Sequence, residues 1–130
     1  MKFIQHLASI ALCLPAMVAL AGDFDGSKPL ICAPVTALEC VRGDDCISGL
    51  PEDVGAPAFM RIDFAKKAVV GPKLTSPILL LEKTESQLLL QGREADFGWA
   101  MALDALTGEL TLTLASQNGA YVLFGSCTPS

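Results

Sequence analysis

The stretch Asp96-Phe97-Gly98-Trp99-Ala100-Met101-Ala102-Leu103 decides the fold of this chain. Large apolar side chains alternate in it with glycine and alanine, which is the period of a β-strand with one face in a core. We therefore predict that Phe97, Trp99, Met101 and Leu103 point inward. The segment from Glu109 to Ala115 repeats the alternation with three inward leucines. Gly108, between the two segments, can adopt the positive φ of a tight turn, so the pair predicts a hairpin.

Shorter strand signals lie on both sides of this hairpin. Before it come an alternating segment, Phe59 to Phe64, and three apolar runs, Ala68 to Gly71, Ile78 to Leu81 and Leu88 to Leu90. The last two runs flank the polar residues 83–86, which predict a hairpin turn. After the central hairpin, Asn118-Gly119 predicts a further turn, and Ala120 to Ser126 predicts a closing strand.

The part of the chain before Phe59 is less regular. Residues 22–29 are predicted to be a flexible start. Leu30 to Leu38 suits an edge strand, because Pro34 cannot donate a ladder hydrogen bond. Residues 40–57 are rich in glycine, aspartate and proline and are predicted to be a loop, with a short helical turn near Pro51.

Together these signals predict an all-β domain over residues 22–130. About eight short strands joined by short turns are typical of an antiparallel meander. Such a meander forms a small barrel or a strongly curved sandwich, because closure removes exposed strand edges. The length after residue 21 suits a single domain.

The first 21 residues have the pattern of an export signal. Lys2 is the one formal charge of this segment, and an apolar run extends from Leu7 to Leu20. Ala19-Leu20-Ala21 ends it with small residues at the two positions that a signal peptidase recognises, which predicts cleavage after Ala21. The run is shorter than the roughly 20 residues that span a bilayer, so a retained membrane anchor is the weaker interpretation. Cys13 follows Leu12, which is not the small residue that lipid attachment requires. The segment therefore predicts a periplasmic or secreted protein with no membrane span after cleavage.

Four cysteines remain after cleavage, and an even number in an exported chain predicts two disulfides. We favour Cys40–Cys46, across a small loop, with Cys32–Cys127, which would join the first strand to the last. The alternative pairing is Cys32–Cys40 with Cys46–Cys127. A zinc site is disfavoured, because the spacings are too long and no histidine follows residue 21.

The charge and residue types exclude several function classes. The chain after Ala21 holds fourteen acidic and eight scattered basic residues, a net charge of −6. It lacks the continuous basic surface that the binding of nucleic acid requires. Because the single histidine, His6, lies in the leader, histidine-dependent nucleophilic catalysis is excluded as well. We predict no catalytic residues, metal site or cofactor.

Two groups of residues remain as candidate sites. The acidic pairs Asp44-Asp45, Glu52-Asp53 and Glu94 with Asp96 could serve acid catalysis only if two carboxyls converged in a cleft, and we interpret them as solvated loop charge. Phe97, Trp99 and Met101 could line an apolar ligand pocket, or they could fill the core of a small barrel. Both interpretations of the second group stay open.

Three parts of the chain carry a resemblance to a known group of proteins. They are the segment Phe59 to Val69, the residues Trp99, Asp104 and Thr107-Gly108, and the terminal Phe124-Gly125-Ser126-Cys127. The chain resembles small exported, periplasmic proteins of proteobacteria, a group that implies no particular activity. It is more loosely similar to small periplasmic barrels that inhibit lysozyme. Those barrels carry an inhibitory loop with serine and tyrosine near its start, and this chain has no such segment, so inhibition is assigned to no residue.

Three functions follow as hypotheses. The first is a non-enzymatic binding or inhibitory module of the bacterial envelope, with an envelope protein or a small apolar ligand as its partner. The second is a structural or accessory envelope protein that acts through an exposed strand or the Cys40–Cys46 loop. The third is a carboxylate-dependent hydrolase. An apolar cavity behind Trp99 would favour the first hypothesis, and an exposed apolar patch would favour the second.

Overall fold

Nine antiparallel β-strands form one sheet in the computed structural model, which describes Pro15 and residues 22–130. The predicted export signal, apart from Pro15, lies outside the described residues, as does Cys13. The strands are β1 (Leu30–Val41), β2 (Ile47–Gly49), β3 (Met60–Asp63), β4 (Ala68–Val70), β5 (Thr75–Lys83), β6 (Gln87–Glu94), β7 (Phe97–Asp104), β8 (Glu109–Ala115) and β9 (Gly119–Pro129).

Eight of these strands close into a barrel. The order runs β1-β3-β4-β5-β6-β7-β8-β9, and β9 then pairs with β1 over eleven residue pairs, from Leu30 opposite Pro129 to Val41 opposite Gly119. β2 pairs with the second half of β1 beside the barrel. The all-β prediction is confirmed, and of the two predicted architectures the barrel is the one that forms.

The interior contains the side chains that alternation predicts. Met101 and Leu103 of β7 and Leu110 and Leu112 of β8 are buried in one apolar cluster that also includes Trp99. The register places Met101 between Leu90 of β6 and Leu112 of β8, because residues opposite each other in a ladder share a face. Phe97, at the start of β7, is half-buried.

Both favoured disulfides form. Cys32 and Cys127 are direct partners in the β1–β9 ladder, with their Cα atoms 4.0 Å apart. Cys40 and Cys46 enclose the turn between β1 and β2. Disulfides are typical of proteins that reside outside the reducing cytosol.

Two expectations for the first part of the domain need correction. β1 is not an edge strand, because it pairs with β9 on one side and with β3 and β2 on the other. Pro34 is tolerated because it lies at a bulge, where the register shifts between Pro34 and Thr36 and where neither β2 nor β3 is opposite. The predicted loop 40–57 contains the strand β2, and it also contains the predicted helical turn as a 3-10 helix, Pro51–Val54. Across the described ranges, no helix is long and apolar enough to cross a membrane.

One end of the barrel is closed by the N-terminal segment. At this closed end lie the turns 64–67, 84–86 and 105–108. The predicted flexible start, residues 22–29, lies across it: Phe24 packs against the core and lies over Gly108, and Gly26 lies beside Phe64 and Leu88. Gly108 has φ of +74°, and a Cβ there would meet the Phe24 ring at 2.5 Å, so both its backbone and its neighbours require glycine.

Candidate functional site

The opposite end of the barrel is not filled. At this open end lie the turns 71–74, 95–96 and 116–118 and the 3-10 helix. A cavity of about 200 Å³, which we call the mouth cavity, enters the barrel and is lined by residues of all the strands from β3 to β8. Its lining is almost entirely apolar and consists of Pro57, Met60, Val69, Gly71, Leu74, Ser76, Glu94, Trp99, Met101, Leu112 and Leu114.

A second cavity of about 190 Å³ adjoins the first. The two share Pro57, Met60, Leu112 and Leu114 as walls. The second cavity extends under the end of the 3-10 helix toward Phe97 and Tyr121, whose ring centroids are 5.9 Å apart. The open end therefore has two adjacent apolar compartments, and Pro57, in the segment after the 3-10 helix, lines both of them.

Trp99 forms the floor of the mouth cavity. Its side chain is 7% exposed, and its Nε1–H donates to Ser76 Oγ at 2.8 Å. The Ser76 hydroxyl donates in turn to the Arg93 carbonyl oxygen at 3.0 Å. The one polar atom of the indole is therefore satisfied although it is buried, and this chain of two hydrogen bonds holds the ring in one orientation.

The glycine opposite Trp99 makes room for its ring. Gly92 of β6 is the ladder partner of Trp99. A Cβ at Gly92 would overlap Cζ2 and Cε2 of the indole and would lie 2.6 Å from the Pro77 carbonyl oxygen. The indole thus lies against the β6 backbone and leaves the space in front of Met101 and Leu114 open.

Glu94 is the ionisable residue among the lining side chains of the mouth cavity. It ends β6 on the inward face, because it follows Leu88, Leu90 and Gly92 at intervals of two and is the ladder partner of Phe97. Its side chain is half-buried, whereas Arg93 faces outward and is exposed. Among residues 22–130, no basic nitrogen lies within 4.0 Å of the Glu94 carboxylate, since the ion pair found there is Lys28–Asp23.

The predicted candidate residues are thus partly brought together. Trp99 and Met101 are buried in the core cluster and also line the mouth cavity. Phe97 lines the second cavity. The sequence did not single out Ser76 or Gly92. The two-residue turn 95–96 could have identified Gly92, because the register that follows from this turn places the smallest residue of β6 opposite the largest residue of β7.

The acidic side chains of the predicted pairs are exposed, except for Glu94, which is half-buried. Asp44 and Asp45 are exposed in the disulfide loop, and Asp96 is exposed in a turn. Asp53 Oδ2 accepts a hydrogen bond from the Leu50 N–H at 3.0 Å, which is a structural role at the start of the 3-10 helix. No group of three histidine, cysteine or acidic side chains that could hold a metal ion occurs in the part of the chain that the structure describes.

The groups with shifted pKa values lie at the closed end of the barrel. The N–H groups of Thr107 and Leu106 donate to Asp104 Oδ1 at 2.8 Å each and lower the pKa of this carboxyl from 3.8. Hydrogen bonds from Ser27 lower the pKa of Asp25, and the contact with Asp23 raises the pKa of Lys28. These shifts belong to turn geometry and do not mark a catalytic site.

The open end can therefore shield a small apolar body from water and can offer it one carboxylate. It presents no nucleophile with an adjacent base among the residues lining the two cavities. No family model, curated protein or solved structure matches the chain.

Proposed function

We propose that this protein is an exported, non-enzymatic binding module of the bacterial envelope that holds a small apolar ligand in the mouth cavity. The observation that carries the proposal is the apolar cavity of about 200 Å³ beside a buried, hydrogen-bonded Trp99. Concave apolar sites with few polar groups are the usual form of small-molecule sites. An apolar cavity of this size suits an aromatic ring or a short alkyl chain, since one of about 150 Å³ binds benzene.

Export is the second part of the proposal. The leader Met1 to Ala21 would direct the chain out of the cytosol, and the disulfides Cys32–Cys127 and Cys40–Cys46 would form in the oxidising compartment that it enters. Fractionation of bacteria that express the full chain, followed by intact-mass measurement, tests this part. We expect a periplasmic species that begins at Gly22 and carries no free thiol, and a cytosolic species that retains Met1 or Lys2 would contradict it.

Ligand binding is tested with a neutral probe, hexan-1-ol, and with the single tryptophan as reporter. Because Trp99 is the one tryptophan of the chain, its indole N–H gives one resonance in a ¹⁵N correlation spectrum. We expect this resonance to move saturably as hexan-1-ol is added. A resonance that stays fixed up to the solubility limit of the probe would refute the proposed function.

A matched pair of variants shows where the probe binds. Leu114→Phe adds volume to a half-buried side chain that lines both cavities, so it should weaken the binding of hexan-1-ol roughly tenfold or more. Leu106→Phe makes the same change at the closed end, where the side chain is 83% exposed, and should leave binding unchanged. If both variants bind the probe like the parent protein, the probe does not occupy the mouth cavity.

A structural envelope role is the second candidate, and the second half of β5 favours it. Beyond Pro77, β5 pairs with β6 but has no strand on its other edge within residues 22–130. Leu79, Leu80 and Leu81 are exposed along this free edge, which is a template for pairing with a second copy. Sedimentation equilibrium tests it: self-association that Leu80→Lys abolishes would support the role, and a monomer at all concentrations would contradict it.

A further inference from the structure

The side chains that line the mouth cavity can accept a hydrogen bond from a ligand but have no free donor for one. The Ser76 hydroxyl is already engaged, since it accepts from Trp99 Nε1 and donates its proton to the Arg93 carbonyl. The Glu94 carboxylate makes no hydrogen bond and no ion pair with another described residue. A carboxylate can only accept hydrogen bonds, so the polar group of a matching ligand must be a donor.

The charge around Glu94 favours a cationic donor. Arg93, its neighbour in β6, faces outward, and Lys73, in the turn at the lip of the cavity, makes no ion pair with it. The chain after Ala21 carries a net charge of −6, so the field of the domain also attracts cations. An anionic head group would instead meet a half-buried carboxylate without a counterion, which is unfavourable.

The residues at the floor of the mouth cavity determine that the remaining part of the ligand must be apolar. Trp99, Met101 and Leu112 are buried and form an apolar surface behind Glu94. An apolar body that covers them would keep their surface from water, and the face of the tryptophan ring attracts a neighbouring cation. The site therefore has an apolar floor and one acceptor at its lip.

Building on the proposed function, we propose that the ligand class of the mouth cavity is a small amphiphilic cation. Its apolar body, about the size of a phenyl ring or a hexyl chain, would lie over Trp99, and its single ammonium group would lie at the lip and donate to Glu94. The cavity would select against fatty acids and other apolar anions of the same size. No covalent step is involved.

Three probes that share one hexyl chain test the ligand class: hexylammonium, hexan-1-ol and hexanoate. Each is titrated into the protein at pH 7 while the indole resonance of Trp99 is followed. We expect hexylammonium to bind roughly five- to tenfold more tightly than hexan-1-ol, because the head group gains one partly buried, charge-assisted hydrogen bond. Hexanoate should bind most weakly of the three.

A matched pair of isosteric variants assigns the preference to one residue. Glu94→Gln keeps the shape of the lip and removes its charge, so hexylammonium should lose its advantage over hexan-1-ol. Glu109→Gln makes the same change at an exposed position of the closed end and should preserve the preference. Retention of the full preference in Glu94→Gln would assign it to the overall field and overturn the inference.

The outcomes separate this inference from the proposed function. If hexan-1-ol binds and hexylammonium binds no better, the binding module stands and the cationic ligand class is wrong. If hexanoate binds most tightly, the ligand class is overturned in the same way. If no probe moves the Trp99 resonance, the proposed function itself fails and the ligand class fails with it.

Discussion

Alanine at Gly92 provides the sharpest test of how the sequence shapes the mouth cavity. A Cβ at this position would overlap the indole of Trp99, and the Pro77 carbonyl oxygen, 2.6 Å away, limits movement in the other direction. Carbon atoms pack at about 3.5–4.0 Å, so the ring must shift by roughly 1 Å or more. Such a shift lengthens the 2.8 Å hydrogen bond from Trp99 Nε1 to Ser76 Oγ beyond its useful range.

The expected cost follows from these two effects. Overpacking a filled position costs about 1–3 kcal/mol, and a buried donor left without its acceptor costs about 1–3 kcal/mol. Gly92→Ala should therefore lower the free energy of unfolding by about 2–6 kcal/mol, a large part of the roughly 5–15 kcal/mol of a typical domain. This corresponds to a fall in Tm of roughly 8 °C or more.

Gly98→Ala is the matched control for this prediction. Gly98 lies one residue before Trp99 on the outer face of β7, and a Cβ there has no heavy atom within 4 Å. Its free energy of unfolding should stay within about 0.5 kcal/mol of the parent protein. Thermal unfolding followed by far-ultraviolet circular dichroism, together with the indole N–H resonance, measures both variants. Equal Tm values for the two variants, with an unmoved indole resonance in Gly92→Ala, would refute the assigned role of Gly92.

Three further predictions concern stability. Ala95 has φ of +50° in an exposed turn, so Ala95→Gly should raise the free energy of unfolding by about 0.5–1 kcal/mol in a denaturant titration, and a loss would show that the strain is absent. The pKa of Asp104 is lowered in the folded state, so its stabilising effect is present above pH 3.8 and is lost as the pH falls through the lower folded-state pKa. The loss of Tm caused by Asp104→Asn should therefore become smaller below about pH 4. A loss of Tm that does not change with pH would contradict this. Removing the Cys32–Cys127 disulfide by double alanine substitution should cost roughly 4–5 kcal/mol, against roughly 2 kcal/mol for the second disulfide, and equal losses by calorimetry would contradict the loop-length argument.

The central strands could be predicted because their local pattern and their tertiary environment agree. Alternation over Phe97 to Leu103 specifies which side chains face the core, and the short turn at Gly108 fixes the register with the next strand. The favoured cysteine pairing follows from the same logic, since a meander that closes brings its first and last strands together. In the central strands, the residues nearby in sequence therefore determine which side chains face the core.

The remaining features depend on contacts that no local pattern encodes. β2 is three residues long and lies in a segment with loop composition, where the Cys40–Cys46 disulfide returns the chain alongside β1. Asn118-Gly119 predicted a turn glycine, but Gly119 is the first residue of β9. Its lack of a side chain serves the approach of the Cys40 carbonyl oxygen, which would lie 2.5 Å from a Cβ. Whether Trp99 fills the barrel or lines a cavity likewise depends on which end of the barrel is closed.

The difference between the two ends of the barrel is the strongest structural argument that the cavity is a built feature of the sequence. Eight-stranded barrels are usually just wide enough for their own side chains to fill. The closed end follows this rule, with Phe24 and Phe64 packed against the core. At the open end the inward positions of β5 and β6 beside the indole are Ser76 and Gly92, which make room for the ring, and the space in front of Met101 and Leu114 stays open. The proposed ligand binding rests on this open apolar space, on the satisfied indole beside it and on the unpaired carboxylate at its lip.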